Sequence, residues 1–364
     1  MTTIVLSAGG TGGHLFPAQA LAGELLNRGR SIVVMTDRRG RHYEAAFPGA
    51  IIESVPSASF VGSLAARLFA PLQILSGILV ALGKLKRIRP AAIVGFGGYP
   101  SLPVMLAGWL GGFPTAIHEQ NAVLGRANRW LAPRMKAVAA SLPIARFAPK
   151  NASRIVFTGN PVRPQAAKLL AHRYVAPDEE GPVRLLVFGG SQGARALSEI
   201  VPPAIALLPD PLRARLRIVQ QCRAEDLTSV RAAYAAQHVD AELAGFFDDL
   251  PARMAWAHLV ISRSGASTIS ELAVIGRPAI LVPYPAATDD HQTANAQVFV
   301  DAGAAWLAQQ RDLSPESLAR LLKDILGAPQ ELARRARAAQ ALARPDATVR
   351  LADLVDSIAR AGSA

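Results

Sequence analysis

The 364-residue sequence predicts an α/β protein of two Rossmann-like domains. Three observations predict it. The length suits two domains. A short apolar strand running into a glycine loop and then a helix opens the first half at Ile4–His14. The same pattern opens the second half at Arg184–Ala194, as an old duplication would leave it. Finally, Ser262 to Gln297 reads as a strand–loop–helix–strand–loop unit, the repeat of a parallel sheet covered by helices.

Composition narrows the function classes. Half of the residues are apolar and charges are sparse, which supports a large core and argues against disorder. Cys222 is the only cysteine, so there is no internal disulfide or multi-cysteine zinc site, and a reducing compartment fits. No signal peptide is expected, because the apolar run Ile4–Leu6 is too short and lacks a basic flank. The net charge of +12 calls for an acidic partner. No basic-aromatic nucleic-acid motif stands out, so anionic lipid or a phosphorylated substrate is expected and nucleic acid is not.

The elements follow in order. Ile4–Ser7 is a buried strand. The loop Gly9-Gly10-Thr11-Gly12-Gly13-His14 leads to a helix from about Pro17 to Arg28. The loop has the form of a phosphate cradle, yet it lacks both the last glycine of the dinucleotide fingerprint and the Gly-Lys-Ser/Thr of a P-loop. Asp37, after the strand Ser31–Met35, therefore supports NAD binding only weakly. His14 either caps and packs or serves as a general base, since imidazole accepts a hydroxyl proton near neutral pH.

Phe60–Pro90 has no charge between Arg67 and Lys84, and Leu64, Leu68, Leu72, Leu75, Leu79 and Leu82 recur at helical spacing. The segment is too short and too interrupted, by Pro71 and Gln73, for a span. It is either a core helix or one whose outer face enters a membrane surface, with Lys84, Lys86, Arg87 and Arg89 meeting anionic headgroups. A strand at Ala91–Gly95 ends in a second glycine turn, Gly95–Pro100, and a helix follows from about Leu102 to Trp109. After the strand Thr115–Ile117 comes His118-Glu119-Gln120-Asn121, four hydrogen-bonding side chains at a strand end: a binding edge or a polar surface loop.

Thr158–Pro164 breaks any element and marks a hinge; Arg163 within it could pair with a diphosphate. In the second half, Ser264-Gly265-Ala266 opens a helix whose unpartnered N–H groups attract phosphate. Glu271, about one turn in, can take paired hydroxyls such as those of a ribose. His291 and Gln292 lie past the next strand, on the carboxyl edge where such sheets bind ligands. The plainer alternative is one more βαβ unit with a cap. Phe246 and Phe247 precede a helix start at Asp248 and could simply pack. Asp346 caps a last helix, Ala347–Arg360.

Six motifs in order resemble those of glycosyltransferase family 28: Gly10–His14, Gly95–Pro100, His118–Asn121, Gly159–Arg163, Gly189–Ala194 and Ser264–Gln292. The resemblance implies the GT-B fold, with two Rossmann-like domains facing across a cleft. The acceptor- and membrane-binding domain would be 1–160 and the UDP-sugar domain 161–345, with a helix, 346–364, returning to the first. It is similar to the branch that moves N-acetylglucosamine from UDP-N-acetylglucosamine to the 4-hydroxyl of the muramyl sugar in undecaprenyl-diphospho-muramyl-pentapeptide (lipid I). That reaction gives lipid II, with inversion, at the cytoplasmic face of the bacterial membrane.

Site residues carry over from the same resemblance. His14 is the base and Glu119 its runner-up. Thr11, Gly12 and Gly13 bind substrate at the acceptor side, with Tyr99. Asn121 contacts the donor sugar; Arg163, Ser191, Ala266, Ser267, Thr268, Glu271, His291 and Gln292 hold the donor, and Phe247 lies near the uracil. No Asp-x-Asp occurs, so no metal and no cofactor is expected. A UDP-N-acetylglucosamine 2-epimerase of the same fold and a non-catalytic nucleotide- or lipid-binding protein are the alternatives.

Overall fold

The computed structural model describes residues 2–9, 12–37, 45–57, 64–151, 154–190 and 193–362; the side chains of 12 and 64–69 are not described. The chain divides into two compact units, Met1–Val162 with Asp346–Ala364, and Arg163–Pro345.

The first unit runs β1 (Thr3–Ser7), α1 (Gly12–Asn27), β2 (Ser31–Thr36), β3 (Ile51–Ser54), α2 (Leu64–Ile88), β4 (Ala92–Gly95), α3 (Ser101–Leu110), β5 (Thr115–Glu119), α4 (Arg126–Leu131), β6 (Ala137–Ala140) and β7 (Ile155–Phe157). All strands are parallel, in the order β3-β2-β1-β4-β5-β6-β7. The central strands β4, β5 and β6 are buried on both faces, so β4 and β6 read as continuous apolar runs rather than alternating ones, while β5 ends in buried His118 and Glu119. The order reverses between β1 and β4, and ligands of open α/β sheets bind at such a switch point.

The second unit runs α5 (Pro164–Ala167), β8 (Val183–Phe188), α6 (Arg195–Ala206), α7 (Asp210–Ala214), β9 (Leu216–Gln221), α8 (Leu227–Ala235), β10 (Asp240–Ala244), α9 (Leu250–Trp256), β11 (Leu259–Ser262), α10 (Ala266–Ile275), β12 (Ala279–Leu281), α11 (His291–Asp301), β13 (Ala305–Leu307), α12 (Pro315–Leu326) and α13 (Pro329–Ala341). Its parallel sheet has the order β10-β9-β8-β11-β12-β13, with the switch between β8 and β11.

The last helix, α14 (Ala347–Ala361), belongs to the first unit. Leu351, Ala352, Val355 and Ile358 join Leu21, Leu25, Ile4 and Leu6 in one buried cluster. Arg28 fixes the register by pairing with Asp353 at 2.7 Å and Asp356 at 3.1 Å, and Arg30 reaches Asp356 at 2.9 Å.

Two expectations shift. Helix α1 begins at Gly12 rather than near Pro17, so Gly13 and His14 lie in its first turn. The first four N–H groups of a helix need no internal acceptor, and that lets a glycine run join; Pro17 then costs one bond, to the Gly13 carbonyl. Likewise α11 begins at His291, so His291 and Gln292 are helical and the loop ends at Asp290. The short strands β3, β7 and β13, of three or four residues each, are too brief to carry a period.

Candidate active site

In the first unit three loops leave the carboxyl ends of β1, β4 and β5. The β1 loop ends in His14, half-buried in the first turn of α1. The β4 loop carries Gly97 and Gly98 at φ 88° and 74°, conformations that side chains with a Cβ rarely adopt. A Cβ on Gly97 would stand 3.4 Å from His14 Nε2 and 3.6 Å from Asn128 Nδ2, and one on Gly98 would stand 3.5 Å from His14 Nδ1. These glycines let the imidazole lie against backbone, with Asn128 across from it. Half-buried Tyr99 follows, and the Ser101 hydroxyl donates to the Gly98 carbonyl at 2.9 Å to close the turn.

Glu119 ends β5 and is buried. Its carboxylate accepts from Asn121 N–H at 3.1 Å, Asn121 Nδ2 at 3.3 Å, Gly125 N–H at 2.8 Å and Asn128 Nδ2 at 2.9 Å. Four donors from its own loop commit this carboxylate to holding Asn121 and Asn128 in place. That is a brace, which argues against the runner-up role of base. Asn128 carried no expected role, though its place nine residues after Glu119 is the local signal for it.

One residue back, His118 is fully buried. Its Nδ1 faces Gln120 Nε2 at 2.9 Å and its Nε2 faces Ser141 Oγ at 3.1 Å. An amide N–H can only donate, so Nδ1 accepts and Nε2 carries the proton. Burial holds His118 down to about 4, with His14 adding a smaller push, so it stays neutral.

In the second unit α10 starts just past β11. Gly265 is its N-cap and no side chain caps it. The N–H groups of Ala266, Ser267 and Thr268 therefore face outward along the positive end of the helix dipole. The Ser267 hydroxyl oxygen is buried without a hydrogen-bond partner among the described residues. The loop is held by Ser264 Oγ donating to the Gln292 carbonyl at 2.8 Å and by Asn295 Nδ2 donating to the Ser264 carbonyl at 3.0 Å. Gln292 Oε1 takes the Tyr284 N–H at 2.9 Å, and His291 Nδ1 lies 2.9 Å from the Thr288 carbonyl. Arg263, buried and unforeseen, clamps the end of β12 by donating to the carbonyls of Val282 at 3.1 Å and Pro283 at 3.0 Å.

Arg163 and Glu271, separated by 108 residues, meet as a bidentate pair with both contacts at 2.6 Å. Nε and Nη2 of the guanidinium donate to the carboxylate; burial lowers the Arg163 pKa, and the bonds it donates to Glu271 more than offset this and raise it. Each carboxylate oxygen keeps a second lone pair that can accept a hydroxyl. Phe247 is buried with the Arg253 guanidinium 4.1 Å from its ring centre, whereas Phe246 is exposed. Thr11 and Ser191 lie outside the described residues.

Two parallel-sheet units, each with a glycine turn and helix start at its switch point, define a glycosyltransferase of the GT-B class. The family model for the glycosyltransferase family 28 N-terminal domain matches residues 4–140, and that for the C-terminal domain matches 184–351. The chain belongs to glycosyltransferase family 28. A UDP-N-acetylglucosamine–N-acetylmuramyl-(pentapeptide) pyrophosphoryl-undecaprenol N-acetylglucosamine transferase of Paramagnetospirillum magneticum is 52% identical over 361 residues, covering 97% of this chain and 95% of the relative. The Methylobacterium sp. (strain 4-46) protein of the same name is 51% identical over 363 residues, 99% of this chain and 98% of its own. The solved Acinetobacter baumannii MurG superposes with a TM-score of 0.82 at 32% identity, covering 98% of this chain and 100% of that one.

Proposed function

We propose that this chain transfers N-acetylglucosamine from UDP-N-acetylglucosamine to the 4-hydroxyl of the muramyl sugar in undecaprenyl-diphospho-muramyl-pentapeptide, giving lipid II for peptidoglycan synthesis. The observation that carries the reading is identity of about half, over nearly the whole of both chains, to transferases so named.

The first unit holds and activates the acceptor. His14 takes the proton of the 4-hydroxyl as its oxygen attacks C1 of the donor sugar from the face opposite the leaving group. The C1–oxygen bond to the β-phosphate breaks, UDP departs and the configuration inverts. Glu119 acts through Asn121 and Asn128 as a positioning residue, and Tyr99, Gly12 and Gly13 line the acceptor side with Thr11. The second unit holds the donor. Negative charge growing on the diphosphate meets the N–H groups of Ala266, Ser267 and Thr268 and the Arg163 guanidinium, where fixed donors stabilise it without reorganisation. Glu271 takes the ribose hydroxyls on its remaining lone pairs, Asn121 and Gln292 orient the sugar with His291, Ser191 contacts the donor, and the uracil lies by Phe247. With these groups on the diphosphate the reaction needs no metal or other cofactor; turnover unchanged by a chelator would support that.

We also place the chain at the cytoplasmic membrane face through α2. No described helix is long and apolar enough to cross a membrane. Yet Leu72, Leu75, Leu79 and Val80 lie exposed along one side of α2, and exposed Trp109 and Leu110 end the neighbouring α3. Ala81 and Leu85, on the other side, are core. Lys84 and Arg87 both pair with Glu53, and Lys84 also donates to the Ser54 carbonyl, which leaves exposed Lys86 and Arg89 for anionic headgroups.

The test is product analysis of the purified protein with UDP-N-acetylglucosamine, with and without lipid I in detergent. UDP and a disaccharide-lipid formed only with lipid I are expected. Epimerised donor without acceptor, or no turnover in either case, would overturn the reading.

A further inference from the structure

Phe147, in the loop between β6 and β7, has φ 63°, a left-handed conformation that strains any residue with a Cβ, and its side chain is 51% exposed. A strained aromatic that gains little burial has to be held by other groups, and the holders sit on the β5 loop. Leu124 N–H donates to the Arg146 carbonyl at 3.2 Å, and Ala145 N–H donates to the Ala122 carbonyl at 2.7 Å. Val123 and Arg146 form a parallel bridge. Arg129 Nε donates to the Leu124 carbonyl at 2.7 Å and lays its guanidinium 3.5 Å from the Phe147 ring centre. The result is a stacked cation–aromatic pair fixed to the loop that Glu119 braces. Arg146 beside it and Arg126 in the first turn of α4 are exposed.

This platform begins one residue from the acceptor side of the site. Arg129 follows Asn128, which lies across Gly97 from His14. In the acceptor assigned above, the peptide hangs from a lactyl ether on the ring carbon next to the reacting 4-hydroxyl. With that hydroxyl at His14, the peptide must leave the site within one ring atom of the base. A peptide ends in a carboxylate, and guanidinium groups grip carboxylates in paired hydrogen bonds, while an aromatic face covers the chain's apolar atoms. We propose that Arg129 and Phe147, with Arg146 and Arg126, form the docking surface for the carboxylate-bearing peptide of the acceptor. The inference rests on the acceptor reading given under the proposed function.

The experiment compares the parent with Arg146→Ala and Phe147→Gly on two soluble short-lipid acceptors: one with the intact pentapeptide, one ending at the lactyl group as its uncharged amide. KM for the peptide acceptor should rise about tenfold in each variant, the size of one lost charge-assisted contact. Its kcat and the KM of the peptide-free acceptor should hold. Phe147→Gly should keep or raise the Tm, because glycine takes φ 63° without strain, and a KM effect in that variant cannot then come from unfolding. Equal KM rises on both acceptors would move the contact to the carrier diphosphate or sugar and overturn the proposal. Unchanged KM values would overturn it too, whether or not binding to anionic vesicles weakens. A parent that turns over neither acceptor overturns the acceptor reading itself, and this inference with it.

Discussion

The carboxyl edges of the two sheets share one plan and differ in what they place there. Each has a glycine turn and a helix start at its switch point. In the second unit the helix start is left open, and Arg163 and Glu271 are held in a fixed pair. That edge suits a ligand with both phosphate and hydroxyls. In the first unit a histidine stands against glycine backbone, and the Glu119 carboxylate is consumed in bracing its own loop. That edge suits proton transfer. The same strand–loop–helix unit thus presents an open helix start in one unit and a histidine against glycine in the other, according to the residues its loop carries.

The largest test of this division is His14→Ala. Loss of a general base costs about 10²–10⁴ in rate, so kcat should fall in that range while calorimetric affinity for UDP-N-acetylglucosamine holds. A matching loss of donor affinity would erase the distinction between the edges. Glu271→Ala should do the reverse, weakening the donor and lowering stability. Removing one partner of a fully buried pair costs about 3–5 kcal/mol, and about 2–3 is expected here because a fifth of Arg163 remains exposed. Denaturant midpoints and donor titration read both effects; Glu271→Gln should recover part of the stability.

The third test concerns acid. His118 in the first unit and His258 in the second are both buried and both held down to about 4, chiefly by burial. Between pH 6.5 and 4 the unfolded chain takes up these protons and the folded chain does not. Stability should therefore be constant above about pH 7 and fall as the pH drops through that window. His118 alone would contribute about 3 kcal/mol by pH 4. Melting curves of His118→Asn should show a shallower acid fall than the parent; an equal fall would show that His118 is not a source of it. The smallest expected effect is at the membrane surface. Leu79→Ser should weaken binding to anionic vesicles by about tenfold, as for one leucine withdrawn from an apolar phase, and leave turnover of a soluble acceptor unchanged.

Much of the second edge was legible in the sequence because its helix start is local. Gly265, Ala266, Ser267 and Thr268 are consecutive, and a helix start presents its N–H groups whatever lies around it. The first edge was half legible. The spacing of Gly12, Gly13 and His14 pointed to a loop, whereas the helix takes them in, because orphan N–H groups cost a first turn nothing extra. Glu119 was expected only as the runner-up base within a binding edge or a polar surface loop, since a string of polar residues does not say which of them turn inward on one another.

The sequence by itself determined the class of fold and the order of the motifs. These depend on short-range patterns: apolar runs of strand length, glycines at turns, polar side chains at strand ends. Only the tertiary structure decided the pairing of Arg163 with Glu271, the contact of His14 with Gly97 and Gly98, and the closure of α14 onto α1 through Arg28, Asp353 and Asp356. Each joins groups far apart in the chain. Which charge meets which is set by where the sheet order brings strand ends and helix faces together, and no local pattern records that.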